Sequence, residues 1–295
     1  MRMFEQIKSL RAYIRGVRAE GKLIGFVPTM GALHEGHLSL IRKAKTDCDV
    51  AVASIFVNPT QFGPTEDLAR YPRPLSRDQQ LASEARLDAL FVPTVDEIYP
   101  DGFQTSVSVT QLASVFEGAI RPGHFAGVAT VVLKLINIVQ PDRLYLGQKD
   151  FQQAMLLDRM VHDLNLQTEI ILAPTVREPD GLAMSSRNAY LSETERSSAA
   201  VLYRALAHAS RRVAEGADWS QELISEMSQM ISAEPCTAID YVAIVDPLTL
   251  APASTLVEAP TVALLAVRVG KTRLIDNSVL TPPGASAIHH RLLRL

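Results

Sequence analysis

Two histidines separated by two residues lie in "PTMGALHEGHLSL", between an apolar run and an amphipathic one. His34 and His37 flank Glu35 and Gly36. The zinc-protease pattern requires histidines at i and i+4 on one helix, so this spacing disfavours a zinc site. A strand ending at Pro28, followed by a turn and a helix, would instead direct backbone N–H groups and the positive helix end at an anion.

The imidazoles of this segment could donate hydrogen bonds to phosphates and stabilise charge that grows in a transition state. The alternative is a polar loop that merely exposes two histidines. The residues alone leave both interpretations open, because short motifs also occur without function.

A second polar segment, "LGQKDFQQ", follows another predicted strand. Lys149 could supply a point charge for a phosphate, and Asp150 could accept a hydrogen bond from a ribose hydroxyl. Gln153, nearly one helical turn further on, would face the same cleft as Asp150. A solvated strand-to-helix loop is the alternative.

A third segment, "TVREPDGLAMSSRNAYLS", places a compact cluster of donors after a glycine-containing turn. Ser185, Ser186 and Arg187 suit a loop that binds phosphate. A polar linker between domains explains the same residues.

Two further segments carry polar residues whose role the sequence leaves open. "FVNPTQFGP" puts Asn58 and Gln61 after a strand, where neutral amides could orient a carboxylate and preserve its nucleophilic charge. "RPGHF" puts Arg121 and His124 at the head of a long apolar helix. For this pair, structural capping explains the pattern as well as substrate contact does.

The elements that must position these residues alternate between apolar runs and segments of helical period through about residue 175. Such alternation predicts an α/β domain, a Rossmann-like doubly wound parallel sheet covered on both faces. Ligands of these sheets bind at the carboxyl ends of the strands, near a topological switch point. The predicted strands are "KLIGFVPT", "DVAVASIFVNP", "LDALFVPT", "DRLYLG" and "QTEIILAPT".

The alternation of apolar runs and helical segments ends near Ser192. Ser192 and Glu195 form the pattern of a capping box at the start of a helix. A second helix follows at "SQELISEMSQMI", and then come β-type runs at "AIDYVAIVD", "TVALLAVRV" and "TRLIDNSVL". Helices followed by strands predict a smaller α+β domain. We therefore predict a Rossmann-like domain over 1–177 and a smaller α+β domain over 178–295. The smaller domain begins with the loop that carries Ser185, Ser186 and Arg187, which we call the donor-rich loop.

Composition and motifs argue against several classes of partner and cofactor. The 295 residues carry a net charge of −3, which gives no electrostatic reason to expect nucleic acid. No apolar run approaches the ~18 residues that cross a membrane. Cys48 and Cys236 form no cluster, so reduced thiols in a cytoplasm are expected. No GxGxxG is present, which argues against a nicotinamide cofactor.

In combination these segments resemble a known family. "PTMGALHEGH" resembles the HxGH signature of the nucleotidyltransferase superfamily, and "MSSRN" resembles a degenerate form of its KMSKS loop. Together with "SIFVNPTQFGPTEDLARYPR", "EGAIRPGHFAGVATVVLKL", "GQKDFQQ" and "REPDGLAMSSRNAYLS", they resemble the pantoate–β-alanine ligase family. The likeness runs from about Lys22 to Ser192 and continues more thinly through "VRVGKTRLIDN".

The resemblance implies condensation of pantoate with β-alanine, driven by conversion of ATP to AMP and pyrophosphate through a pantoyl-adenylate. It implies Mg²⁺ that enters with ATP, no metal held by the protein itself, no organic cofactor, and a cytoplasmic homodimer. His34, His37 and Lys149 would be catalytic, Gln61 and Gln153 would bind pantoate, and Gln61 would also bind β-alanine. The implied ATP-binding residues are Met30, Gly31, Ala32, Leu33, His34, Glu35, Gly36, His37, Gly147, Gln148, Lys149, Asp150, Val176, Met184, Ser185, Ser186 and Arg187.

The sequence departs from the family pattern in three places, one of which is Gln148, where Glu is also common in the family. The KMSKS-like loop has no lysine, so Lys149 would supply that charge from another strand. Of the family's acidic stretch after "YPR", only Asp78 remains as a possible helper for magnesium.

Two other functions compete with the ligase interpretation. The first is a transferase that leaves the nucleotide on its product, although a phosphate-bearing substrate would favour Arg or Lys at Gln61 and Gln153. The second is a non-catalytic ATP-binding protein, against which the intact histidines and Lys149 argue.

Overall fold

A computed structural model describes residues 1–64, 66–256 and 259–285. The chain divides into two compact units. The first contains Met1–Gly147 and Gln152–Ala173, and the second contains Gln148–Phe151 and the chain from Pro174 onward. The domain boundary expected after Arg177 stays a prediction.

The first unit is built on a six-stranded sheet in which every pairing is parallel. The strand order β1-β4-β3-β2-β5-β6 confirms the predicted doubly wound, Rossmann-like architecture. The strands are β1 (Arg2–Phe4), β2 (Ile24–Thr29), β3 (Val50–Ile55), β4 (Ala89–Phe91), β5 (Arg143–Gly147) and β6 (Glu169–Ala173).

The order of the strands reverses at β2, which pairs with β3 on one side and β5 on the other. This is the topological switch point, and ligands of such sheets bind at the carboxyl ends of the strands there. The segment after β2 leads to the paired histidines, and the segment after β5 leads to Lys149. The sequence therefore places two candidate segments directly after the two strands at the reversal.

In the described part of the chain, seven helices begin in or next to this unit, and the larger ones bury apolar stripes. On α2, Leu40, Ile41 and Ala44 pack in one core cluster with Val27 of β2 and Ala53 of β3. The helices are α1 (Ile7–Ala19), α2 (Glu35–Asp47), α3 (Leu75–Glu84), α4 (Val95–Ile98), α5 (Glu117–Ile120), α6 (His124–Val139) and α7 (Phe151–Asp163).

Strand β1 is an element that the sequence did not predict. Arg2–Phe4 pair in parallel with β4 before α1 begins at Ile7. Three residues are too few for an alternating pattern to appear, and the pairing depends on a strand almost ninety residues away.

The described residues of the second unit form a three-stranded antiparallel sheet and three helices, which confirms the predicted smaller α+β part. Ser192 caps α8 in a capping box with Glu195. Strand β8 lies between its neighbours and is buried almost throughout, which explains its continuous apolar run. The elements are α8 (Glu193–Ala199), α9 (Val201–Ala214), α10 (Ser220–Ser232), β7 (Thr237–Val245), β8 (Thr261–Val269) and β9 (Thr272–Leu280).

None of the helices formed by the described residues is both long enough and apolar enough to cross a membrane.

Candidate active site

The turn that joins β2 to α2 has two successive residues in the left-handed region. Gly31 has φ 87° and Ala32 has φ 50°. The N–H of Gly31 donates to Thr29 Oγ1 at 3.1 Å, and that hydroxyl donates to the carbonyl of Ser54 on β3 at 2.7 Å. Hydrogen bonds within the unit therefore hold the start of the turn.

The next two N–H groups of the turn donate to a buried carboxylate. Ala32 N lies 2.8 Å from Asp78 Oδ2, and Leu33 N lies 2.8 Å from Asp78 Oδ1. Asp78 is 1% exposed, and burial raises its pKa while the two N–H donors oppose the rise. The N–H groups of Gly31, Ala32 and Leu33 therefore bind groups of the protein itself, and anion binding by this segment stays a prediction.

The same contacts show what Asp78 does in the structure; from the sequence it was a possible helper for magnesium. Both of its oxygens accept backbone N–H groups, so the carboxylate organises the turn. The described residues contain no group of three or more His, Cys, Asp or Glu side chains that could hold a metal ion.

The paired histidines form the N-terminal cap of α2. His34 Nδ1 accepts the N–H of Gly36 at 3.2 Å, and His37 Nδ1 accepts the N–H of His34 at 3.3 Å. The ring centroids lie 4.1 Å apart. Because both Nδ1 atoms accept, each neutral ring carries its proton on Nε2.

Gly36 makes this arrangement possible. A Cβ at this position would lie 2.9 Å from Cε1 and 3.0 Å from Nδ1 of His34. The glycine between the histidines therefore leaves room for the His34 ring to fold back over the helix start.

The predicted acid-binding Gln61 lies beside Met30 in the first unit. Its Nε2 donates to Met30 Sδ at 3.2 Å, and its Oε1 accepts from Asn58 Nδ2 at 3.0 Å. Asn58 Nδ2 also donates to the carbonyl of Gly127 at 3.2 Å. Gly127 must be a glycine, because a Cβ there would lie 2.5 Å from the carbonyl oxygen of Thr60.

A chain of polar contacts supports the backbone of Gln61. Glu66 accepts two bonds of 2.7 Å from Arg121, whose NH1 lies 3.0 Å from His124 Nε2. His124 Nδ1 lies 2.9 Å from the carbonyl oxygen of Gln61. Although burial alone would raise it, the pKa of Glu66 is lowered because Arg121 pairs with it. Arg121 and His124, which the sequence left between two roles, therefore support the Gln61 turn.

Lys149 and Asp150 lie in a 3-10 turn, Gln148–Asp150, that belongs to the second unit. Lys149 Nζ is 3.5 Å from Asp150 Oδ1. The main chain of this turn is bound by Asn277 on β9, a residue that the sequence did not single out.

The donor-rich loop of the second unit forms a tight hairpin followed by a 3-10 turn. The N–H of Met184 donates to the carbonyl of Val176 at 3.0 Å. The backbones of Arg177 and Ala183 form an isolated antiparallel β-bridge. Ser185 caps the turn Ser186–Tyr190 by accepting the N–H of Arg187 at 3.3 Å. The loop is therefore ordered by its own backbone bonds.

Within the first unit, the structure brings His34 against His37 and Gln61 against Met30. Gly147 ends β5, and Gln153 lies half-buried on α7 in that unit. Within the second unit, Val176 and Met184 are joined by their backbones. The roles given to the candidate residues stay predictions.

The doubly wound sheet, with polar residues after the strands at its switch point, defines a Rossmann-like α/β protein with a second α+β unit. The family model for pantoate-beta-alanine ligase matches residues 2–279. The chain belongs to the pantoate-beta-alanine ligase family.

Curated relatives and solved structures cover nearly the whole chain. It is 55% identical to a pantothenate synthetase of Moorella thermoacetica, over 95% of this chain and 99% of that protein. A crystal structure of pantothenate synthetase from Thermus thermophilus matches with a TM-score of 0.89 and 48% identity, over 96% and 100% of the two chains.

A further crystal structure is that of pantoate-beta-alanine ligase from Francisella tularensis, complexed with beta-gamma ATP and beta-alanine. It matches with a TM-score of 0.78 and 38% identity, over 95% of this chain and 97% of that one.

Proposed function

We propose that this chain condenses pantoate with β-alanine to form pantothenate, using ATP and releasing AMP and pyrophosphate through a pantoyl-adenylate. The observation that carries the proposal is the family match over residues 2–279, which contain every candidate site residue. The Francisella tularensis relative, complexed with beta-gamma ATP and beta-alanine, supports the choice of substrates.

The reaction needs two displacements. A pantoate carboxylate oxygen attacks the α-phosphorus of ATP, and the bond to the bridging oxygen breaks to release pyrophosphate. The amine of β-alanine then attacks the activated carbonyl carbon, AMP leaves, and the nitrogen loses a proton. Negative charge grows on phosphate oxygens in the first step, so catalysis requires positioned positive charges and hydrogen-bond donors.

His34 and His37 are proposed as such donors. With Nδ1 accepting a backbone N–H in both rings, Nε2–H is the group that donates to a phosphate oxygen. The cap fixes each ring relative to α2, so little reorganisation is needed during the reaction. His37 is also the proposed proton or hydrogen-bond donor in adenylate formation.

Lys149 is proposed to act on the reacting phosphoryl group, and Gly147–Asp150 to bind ribose and phosphates. In the second unit, Met184–Arg187 would bind the outer phosphates, and the backbone of Val176 would contact the adenine. Arg187 can offer several N–H donors to phosphate oxygens from its planar guanidinium group.

Gln61 and Gln153 are proposed to bind pantoate, and Gln61 to bind β-alanine as well. The Nε2 group of Gln61 donates to the thioether sulfur of Met30, which is a weak acceptor. Exchange of that bond for one to a carboxylate or hydroxyl oxygen would therefore cost little. The Oε1 atom stays fixed by Asn58, which orients the amide.

Mg²⁺ is proposed to enter as part of the ATP substrate, held by phosphate oxygens. A cytoplasmic location and a homodimer are also proposed, on the family resemblance. Sedimentation of the purified protein tests the dimer.

The decisive experiment is exchange of labelled pyrophosphate into ATP with pantoate present and β-alanine absent. Exchange that depends on pantoate is expected, because the first displacement is reversible. No exchange from a folded protein that binds ATP would contradict the proposal. In that case phosphorylated alcohols would be tested next, for a transferase that leaves the nucleotide on its product.

A further inference from the structure

Asn277 on β9 binds the main chain of the turn that carries Lys149. Its Nδ2 lies 2.9 Å from the carbonyl oxygen of Gln148 and 2.9 Å from that of Lys149. Its Oδ1 accepts from Gln148 Nε2 at 3.3 Å. One side chain therefore makes three contacts with two consecutive residues that are 128 or more positions away in sequence.

These contacts fix the orientation of the Asn277 amide. Both hydrogens of Nδ2 are used on carbonyl oxygens, and a flipped amide would place Oδ1 against those same oxygens. Asn277 is 2% exposed, so water does not readily replace the bonds. The turn is thereby held by a buried group whose only satisfied orientation is the observed one.

The neighbouring residue anchors Asn277. Asp276, which is 2% exposed, receives two hydrogen bonds from Arg177, at 2.6 Å and 3.0 Å. Arg177 NH1 also donates to the carbonyl of Gly181 at 3.0 Å, and its guanidinium lies 4.8 Å from the ring centre of Tyr203.

Asp276 Oδ1 also accepts the N–H of Asn277 at 2.8 Å. The bidentate pair of Arg177 and Asp276 has defined geometry, so it holds the segment of β9 that presents Asn277.

We propose that Asn277 is a positioning residue for Lys149. Its two bonds hold the carbonyls of Gln148 and Lys149, which sets the direction in which the Lys149 side chain leaves the turn. This inference rests on the proposed role of Lys149 in adenylate formation. It adds a residue of β9 to the candidate residues of the second unit.

Two variants of the full chain test the proposal. Asn277→Asp keeps the shape but replaces the two donors by a carboxylate oxygen that faces two carbonyls. Asn277→Ala removes both donors without adding charge. Thr261→Val is the control, because Thr261 is a buried residue of β8 whose hydroxyl has no hydrogen-bond partner among the described residues.

The first measurement is pantoate-dependent pyrophosphate exchange. We expect kcat to fall roughly 10- to 100-fold in both Asn277 variants, with the KM for pantoate changed by less than about twofold. The control should retain both values. An unchanged kcat, or a rise in the pantoate KM as large as the loss in kcat, would overturn the proposal.

The second measurement is amide hydrogen exchange, followed by mass spectrometry of peptides that cover 147–151 and β8. Exchange should quicken roughly tenfold or more over 147–151 in the Asn277 variants while β8 stays protected. Equal loss of protection in both regions, or failure of both variants to fold, would make Asn277 a determinant of folding and overturn the positioning role.

These two measurements separate this inference from the proposed function. If the unmodified protein shows no pantoate-dependent exchange, the ligase proposal fails. The positioning of the turn by Asn277 is then judged on hydrogen exchange alone.

Discussion

His124 Nδ1 donates to the main-chain carbonyl of Gln61 over 2.9 Å, while its Nε2 receives Arg121 NH1 at 3.0 Å. Both contacts require a neutral ring with its proton on Nδ1, because a guanidinium cannot accept a hydrogen bond. Burial and the charge of Arg121 lower the pKa of His124 to about 4. The first residue of α6 thus holds the turn that carries the proposed acid-binding amide.

The neutral state of His124 predicts a loss of stability on mild acidification. Between pH 6.5 and about 4 the unfolded chain binds a proton at this position and the folded chain does not, so the free energy of unfolding falls as the pH drops. The neutral state of His124 lowers the free energy of unfolding by about 3 kcal/mol at most over this range, because each pKa unit corresponds to about 1.36 kcal/mol. Urea unfolding at pH 4.5 and pH 7 measures it.

The comparison variant for this pH effect is His124→Asn, which keeps a donor near Nδ1 and cannot titrate. It should lose part of the pH dependence, whereas the same change at the exposed His162 should leave the dependence intact. An identical pH dependence in wild type and His124→Asn would contradict the prediction.

Replacement of Gln61 by alanine should raise the KM for pantoate roughly ten- to a hundredfold and spare ATP binding, because one hydrogen bond to a charged group is lost. Steady-state kinetics with pantoate and ATP varied separately measure the effect. Gln79→Ala is a matched control, since its Nε2 also donates to a methionine sulfur, Met3 Sδ, at 2.9 Å. An unchanged KM in Gln61→Ala would end the assignment.

Gly36→Ala should separate stability from activity. The new Cβ would displace the His34 ring from the cap of α2, so pyrophosphate exchange should fall roughly tenfold. Thermal stability should change little, because alanine favours a helix by about 1 kcal/mol and offsets the lost cap. Gly16→Ala on α1, where nothing lies within 4 Å of the added Cβ, should leave exchange unaltered. Full activity in Gly36→Ala would show that the position of the His34 ring does not matter.

Lys149→Ala should reduce pyrophosphate exchange roughly 100- to 1,000-fold, the usual cost of losing one group that stabilises transition-state charge. The fold should survive, because the contact of Lys149 with Asp150 at 3.5 Å is partly exposed and contributes little. Circular dichroism and exchange assays check both expectations, with the exposed Lys271→Ala as control. Near-normal exchange from folded Lys149→Ala would remove the catalytic role.

Local patterns were sufficient to predict most of the fold. Strands β2 and β3 are buried on both faces, so nearly every residue in them had to be apolar and the runs were visible. The capping box of Ser192 and Glu195 depends on residues three apart, which a sequence displays directly.

Contacts between distant residues were not predictable in this way. Asp78 meets Ala32 and Leu33 from 45 and more positions away, and no local pattern announces that its carboxylate is buried beneath the turn. One feature of the sequence does indicate a role for Asn277. Asp276 and Asn277 are adjacent polar residues inside a strand that the apolar pattern predicts to be buried. Buried polar side chains need hydrogen-bond partners, so such a pair predicts contacts with another part of the chain.

Gln148–Phe151 belong to the second unit, although the residues on both sides of them belong to the first. This arrangement limits where the chain can be cut into fragments or joined to a relative. The chain leaves the first unit after Gly147, returns at Gln152, and leaves it again after Ala173. A fragment that ended after the sheet would retain Lys149 but lose Asn277, on which its turn depends. The two units are therefore not interchangeable modules, and a chimera of two relatives would have to inherit the turn and β9 from the same parent.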